Sequence, residues 1–145
     1  MNYFDIELPI IGMLHYEKEY DWYEGRIKVQ QSEIPIRLST DEEGEVASAC
    51  RRATNFVIEL ENRAQSAKEY AVERLLELKN ETWIDENEEP STSEQFKHRM
   101  VIESISIDSD GEVSFYHNDG DLFWGHCILV TMDNKNNFIH AEIAG

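Results

Sequence analysis

Basic residues are scarce in this chain of 145 residues: 13 Lys and Arg stand against 30 Asp and Glu, a formal net charge of −17 at pH 7. A field of that sign repels nucleic acid and anionic membranes, and it attracts basic proteins or metal cations. The one basic doublet, Arg51-Arg52, falls in a helical stretch and not in a basic patch, which argues against direct nucleic-acid binding. Cysteine is equally sparse. Cys50 and Cys127 lie far apart and fit no metal-type spacing, so the expectation is two reduced thiols in a cytoplasmic protein. No apolar run is long enough to span a bilayer. The opening MNYFDIELPIIGMLHYEKEY has no basic region ahead of its apolar residues, unlike a signal or transit peptide. A phosphate-cradling Gly loop, a nucleophile elbow and a helical metalloprotease motif are missing too, and nothing predicts a cofactor.

What is present is the composition of a globular domain: 41% hydrophobic and 10% aromatic residues, enough for one core spanning 1–145. In the first forty residues a two-residue period recurs, in Ile6, Leu8 and Ile10, then Ile27 and Val29, then Ile34, Ile36 and Leu38. Gly25 and Gln31-Ser32-Glu33 read as breaks between strands, and Pro35 as an edge or bulge residue. From Glu45 to Glu89 there is no Gly or Pro, and small or apolar residues step by three and four. The pattern predicts helix over about 42–79, capped by Thr40 and Glu43, as one helix or as two with a break near Asn62–Ser66. Val46, Ala53, Phe56, Leu60, Ala67, Leu75 and Leu78 form its expected inner stripe. After an acidic loop at 85–90, Ser91 and Glu94 open a helical turn. Strand rhythm returns from Val101, and polar turns at 109–111, 118–121 and 133–137 link antiparallel neighbours. The fold class is therefore α+β, one long or two consecutive helices packed on a mainly antiparallel sheet, with Ile105, Phe115, Ile128 and Val130 at its centre.

The run Asp119-Gly120-Asp121-Leu122-Phe123-Trp124-Gly125-His126 is the most distinctive in the chain. Together with Asp21-Trp22-Tyr23-Glu24-Gly25 and the helical stretch ending near Trp83, it resembles a bacterial family of uncharacterised cytosolic proteins. The resemblance implies a bacterial, soluble domain of unknown function and carries no catalytic role onto any residue.

The residues themselves suggest several chemistries. Asp108-Ser109-Asp110-Gly111-Glu112 opens like a calcium loop, but the position for the closing bidentate Glu is Asp119, and Val113 and Phe115 intervene in strand rhythm. His126 and Cys127 are adjacent in a strand, so they point to opposite faces and cannot form a dyad. His140 is expected across from about Val130, too far from His126 to share a metal. A site around His117, Asp119, Asp121 and His126 is the enzyme reading, metal-dependent or hydrolytic. Tyr16, Tyr20, Trp22 and Tyr23, interleaved with carboxylates, form either core plugs or an anchor surface for a basic partner. The leading expectation is a small acidic binding protein that engages a basic protein partner in an immunity-like, toxin-neutralising role. Its candidate binding residues are Trp22, Tyr23, Asp119, Asp121, Trp124 and His126.

Overall fold

Eight strands laid side by side in chain order make one sheet, and every helix lies on one face of it. The computed structural model describes residues 3–145. Strands β1 (Ile6–Leu8), β2 (Gly12–Glu17), β3 (Trp22–Val29) and β4 (Ser32–Ser39) form an antiparallel meander. Helices α1 (Ala47–Phe56), α2 (Leu60–Glu81) and α3 (Ser93–Arg99) follow, then β5 (Val101–Ile107), β6 (Val113–Asn118), β7 (Cys127–Met132) and β8 (Phe138–Ala144) in a second antiparallel meander. The two meanders join through one parallel pair, Ile36–Leu38 on Ile105–Ile107. A parallel pair needs a long crossover, which the helical segment supplies.

Alternation decides which side of each strand meets the helices. Tyr23, Gly25, Ile27 and Val29 are buried on the helix side of β3, while Trp22, Glu24, Arg26 and Lys28 lie on the open side. Ile105, Phe115, Ile128 and Val130 are fully buried at the centre, as their spacing predicts. Phe56 meets Phe115 edge-on at 5.6 Å, and Tyr70 stacks on Phe138 at 5.5 Å, so both long helices are fastened to the sheet by rings. Arg52, half of the basic doublet, binds Gly111 O (2.8 Å), Asn136 Oδ1 (2.7 Å) and Asp133 O (3.0 Å), which ties α1 to two hairpin turns.

The helix begins later than its periodicity implies. Thr40 and Glu43 form no capping box. Asp41 Oδ1 takes the N–H groups of Glu43 and Glu45, each at 2.9 Å, and Gly44 at φ +79° turns the chain before α1 starts at Ala47. The break falls at a 3-10 turn, Val57–Glu59, and not at 62–66; Ser66 and Glu69 are interior residues of α2. Leu78 is 39% exposed and Lys79 is buried in its place. The Lys79 ammonium is met by Trp83 O (2.6 Å) and by both Glu88 oxygens (3.1 Å), so a buried charge sits where an apolar side chain was expected. Val46 is only partly buried. The cap of α3 is the Thr92–Gln95 capping box, one residue beyond the expected Ser91.

Two strand readings are corrected as well. Pro35 lies in a central strand, one residue outside the parallel ladder to β5, so its missing N–H costs no bond there. Gly25 is no break: it sits within β3 against β2, and a Cβ there would meet Leu14 Cδ2 at 2.7 Å and Met13 O at 3.0 Å. The turn between β3 and β4 is Gln30-Gln31, with φ +51° and +69°, its Gln30 N–H held by Glu61 at 2.8 Å. His140 pairs with Thr131, one residue from the expected Val130, because β8 bulges at Ile139.

Candidate functional site

The turn from Asn118 to His126 is built around one carboxylate. Asp119 is 2% exposed, and its two oxygens accept three backbone N–H groups: Asp121 at 2.9 Å, Phe123 at 2.9 Å and Gly125 at 3.1 Å. Asn118 Oδ1 accepts the Gly120 N–H at 2.8 Å, and Arg99 donates twice to Gly120 O, at 2.9 and 2.6 Å. Hydrogen bonds that carry a charge are the stronger kind. That clamp holds a backbone in which Gly120, Asp121, Trp124 and Gly125 all have φ between +56° and +92°.

One consequence is to separate the two adjacent rings. Phe123 is fully buried, edge-on to Trp83 (5.6 Å) and Phe96 (5.9 Å). Trp124 turns the other way: it is 57% exposed, and one side leans on Trp83 with centroids 4.8 Å apart. His126 completes the group, 5.4 Å from Trp83 and donating Nδ1–H to Phe123 O at 2.6 Å. Trp124 and His126 both lie in the turn, so His126 is not a strand residue as its adjacency to Cys127 suggested; the strand starts at Cys127. Trp83 is the member that sequence reasoning missed. It stands just past the end of α2, outside both periodic patterns.

The residues of the enzyme reading do not converge. His117 is fully buried on the helix side of β6, and its Nδ1–H donates to Ile128 O at 3.3 Å. Its Nε2 is buried with no partner, and burial, aided by the nearby Lys68 charge, lowers its pKa to about 4. Asp119 has both oxygens committed to backbone, and Asp121 is exposed. Among the described residues, no three His, Cys, Asp or Glu side chains are placed to hold a metal ion. The calcium-like segment is a hairpin turn, with Asp110 Oδ1 accepting the Glu112 N–H at 3.0 Å. Cys127 and Cys50 are half-buried and unpaired by disulfide, and burial pushes both thiols above their ordinary pKa, away from a reactive thiolate.

Trp22 and Tyr23 occupy opposite faces and do not make one surface. Tyr23 is 6% exposed and packs beside Tyr16 at 5.2 Å, so it belongs to the core. Tyr16 donates to Asp21 Oδ1 at 2.5 Å, a bond that raises the phenol pKa. Trp22 is half-buried between Tyr20, stacked at 4.6 Å, and the Arg37 guanidinium at 5.1 Å. Arg37 is in turn held by Glu24 at 3.0 Å. Trp22 and Arg37, with Ser104, Tyr116 and Cys127, line a shallow cleft of about 350 Å³ on the open side of the sheet.

No helix of the described chain is long and apolar enough to cross a membrane. A family described as "Uncharacterized protein conserved in bacteria (DUF2262)" matches residues 9–143. No curated protein and no solved structure matches the chain.

Proposed function

The chain belongs to that uncharacterised bacterial family, and we propose that it is a cytoplasmic binding protein for a basic protein partner, in an immunity-like role, with Trp124 as its anchor. The observation that carries this is the presentation of Trp124. A large ring 57% open to water, in a left-handed backbone conformation, is unfavourable twice over. The buried Asp119 clamp nonetheless holds it there, and backbone strain maintained by its surroundings marks functional sites. Tryptophan is also the side chain most often found at the centre of a protein interface. Around it the charge is negative: Asp121 is exposed beside it, and exposed Asp85, Glu86 and Glu89 begin two residues after Trp83. Glu69, Glu73, Glu77 and Glu81 are exposed on α2. Such a field accelerates encounter with a basic partner, and the ring supplies contact area once they meet.

The test is capture from the native host on the immobilised protein, at about 0.01 M and about 1 M salt, where the screening length falls from about 30 to 3 Å. A basic protein should be retained by the wild type at low salt, released at high salt, and lost with Trp124→Ala. Retention that ignores salt would remove the electrostatic part of the proposal. Retention unchanged by Trp124→Ala would remove the anchor.

A further inference from the structure

The two edges of the sheet are unequal. Strand β1 has three residues and is followed by Pro9, so little backbone is offered there. Strand β8 is seven residues long, and among the described residues its only strand neighbour is β7. Helix α2 packs on the face of β8, through Tyr70 on Phe138, and leaves the outer edge uncovered. Every second residue of an antiparallel strand turns its N–H and C=O away from its partner, so β8 presents a row of unpaired backbone groups. Of the devices that blunt such an edge, β8 has no Pro, no Lys and no inward-pointing charge; its bulge lies at Ile139, near its start, and leaves residues 140–144 in regular register.

The side chains of β8 are self-complementary. Placing a two-fold axis at Ala141 sets His140 opposite Glu142 and Glu142 opposite His140. Opposed residues in an antiparallel pair share a face with Cβ atoms about 4.5–5.5 Å apart, so both His–Glu pairs form on the open side of the sheet. His140 and Glu142 are exposed there, beside Thr131 and Leu129. Ala141 on the axis is small and allows close approach.

Charge points to the same occupant. Residues 126–145 carry one Asp and one Glu against one Lys, so the molecule's large negative charge lies almost wholly elsewhere. The strand and its hairpin therefore add little of their own to the repulsion between two copies of an acidic chain.

We infer that β8 is a homodimerisation edge, pairing antiparallel with β8 of a second copy about a two-fold axis at Ala141 to make a continuous sheet. A two-fold interface must be self-complementary, and this strand is. The inference rests on β8 alone and stands apart from the partner-binding role of Trp124.

Sedimentation equilibrium tests it, on the wild type, on His140→Glu and on the charge-swapped His140→Glu/Glu142→Lys, in about 0.15 M salt. The wild type should be dimeric at micromolar concentration. His140→Glu, which sets carboxylates against carboxylates, should weaken the dimer at least about tenfold, and the double substitution should restore it. Amide exchange in β8 of the wild type should slow as concentration rises. A wild type that stays monomeric to about 1 mM overturns the inference, as does a dimer that His140→Glu leaves unmoved.

Discussion

His117 should make the protein lose stability in mild acid, over a pH window set by one buried ring. In the folded chain its pKa is lowered from 6.5 to about 4, mainly by burial. The unfolded chain regains the ordinary value, so between those two pH values the unfolded state binds the extra proton. The contribution is fully present above pH 6.5 and is lost as the pH falls through about 4. A span of that width corresponds to roughly 3 kcal/mol, with about 2 kcal/mol already gone at pH 5. The neutral ring donates Nδ1–H to Ile128 O, while Nε2 faces no partner, so a proton added there would be a buried charge with nothing to receive it. His117→Gln removes the titration. Urea melts followed by tryptophan fluorescence, on both proteins from pH 7 to pH 4, yield two stability profiles. In their difference the carboxylates common to both cancel, and the packing cost of the substitution remains only as an offset that does not vary with pH. Between pH 7 and pH 4 the wild type should lose roughly 3 kcal/mol relative to the variant. Parallel profiles, or an NMR titration of the His117 ring near 6.5, would refute the reasoning.

The turn supports further tests. Asp119→Ala leaves three backbone N–H groups without their acceptor and should cost at least about 3 kcal/mol in chemical melts. His126→Ala removes one half-buried bond and the edge contact with Trp83, and should cost about 1–2 kcal/mol by the same assay. Asp121→Ala should cost less than about 1 kcal/mol, since its side chain is exposed and only its left-handed backbone favours Asp over Ala. Gly120→Ala should be among the most destabilising changes in the chain, about 2 kcal/mol or more, because its Cβ would run into the Arg99 backbone and its φ is +56°. Trp124→Ala should shift the melt by less than about 1 kcal/mol, which makes it a clean probe of binding.

Local pattern determined much of this protein. Alternation in β3, β4 and β6 and the three-and-four spacing of Ala49, Ala53, Phe56, Leu60, Ala64, Ala67, Ala71 and Leu75 specify strands, helix and the face each buries. Burial follows periodicity directly, so the α+β class and the central sheet residues were legible. The polar turns at 109–111 and 133–137 were legible for a similar reason, since Asp, Asn and Gly bond to their own backbone. Other features were decided by partners remote in the chain. Lys79 is buried because Glu88 and the Trp83 carbonyl reach it, which no helical spacing reveals. Gly25 is needed because β2 crosses close above it, and Pro35 is tolerated because the parallel ladder starts one residue later. In the candidate site, the Asp–Gly–Asp–aromatic run was conspicuous as sequence, but the roles within it were not. Composition cannot say that Asp119 is spent on backbone while Trp124 is displayed, nor that Trp83 comes to support both Phe123 and His126. Short-range periodicity fixes which residues go inside. Which polar groups are consumed by the fold, and which are left to meet something else, depends on contacts that only the assembled sheet and helices create.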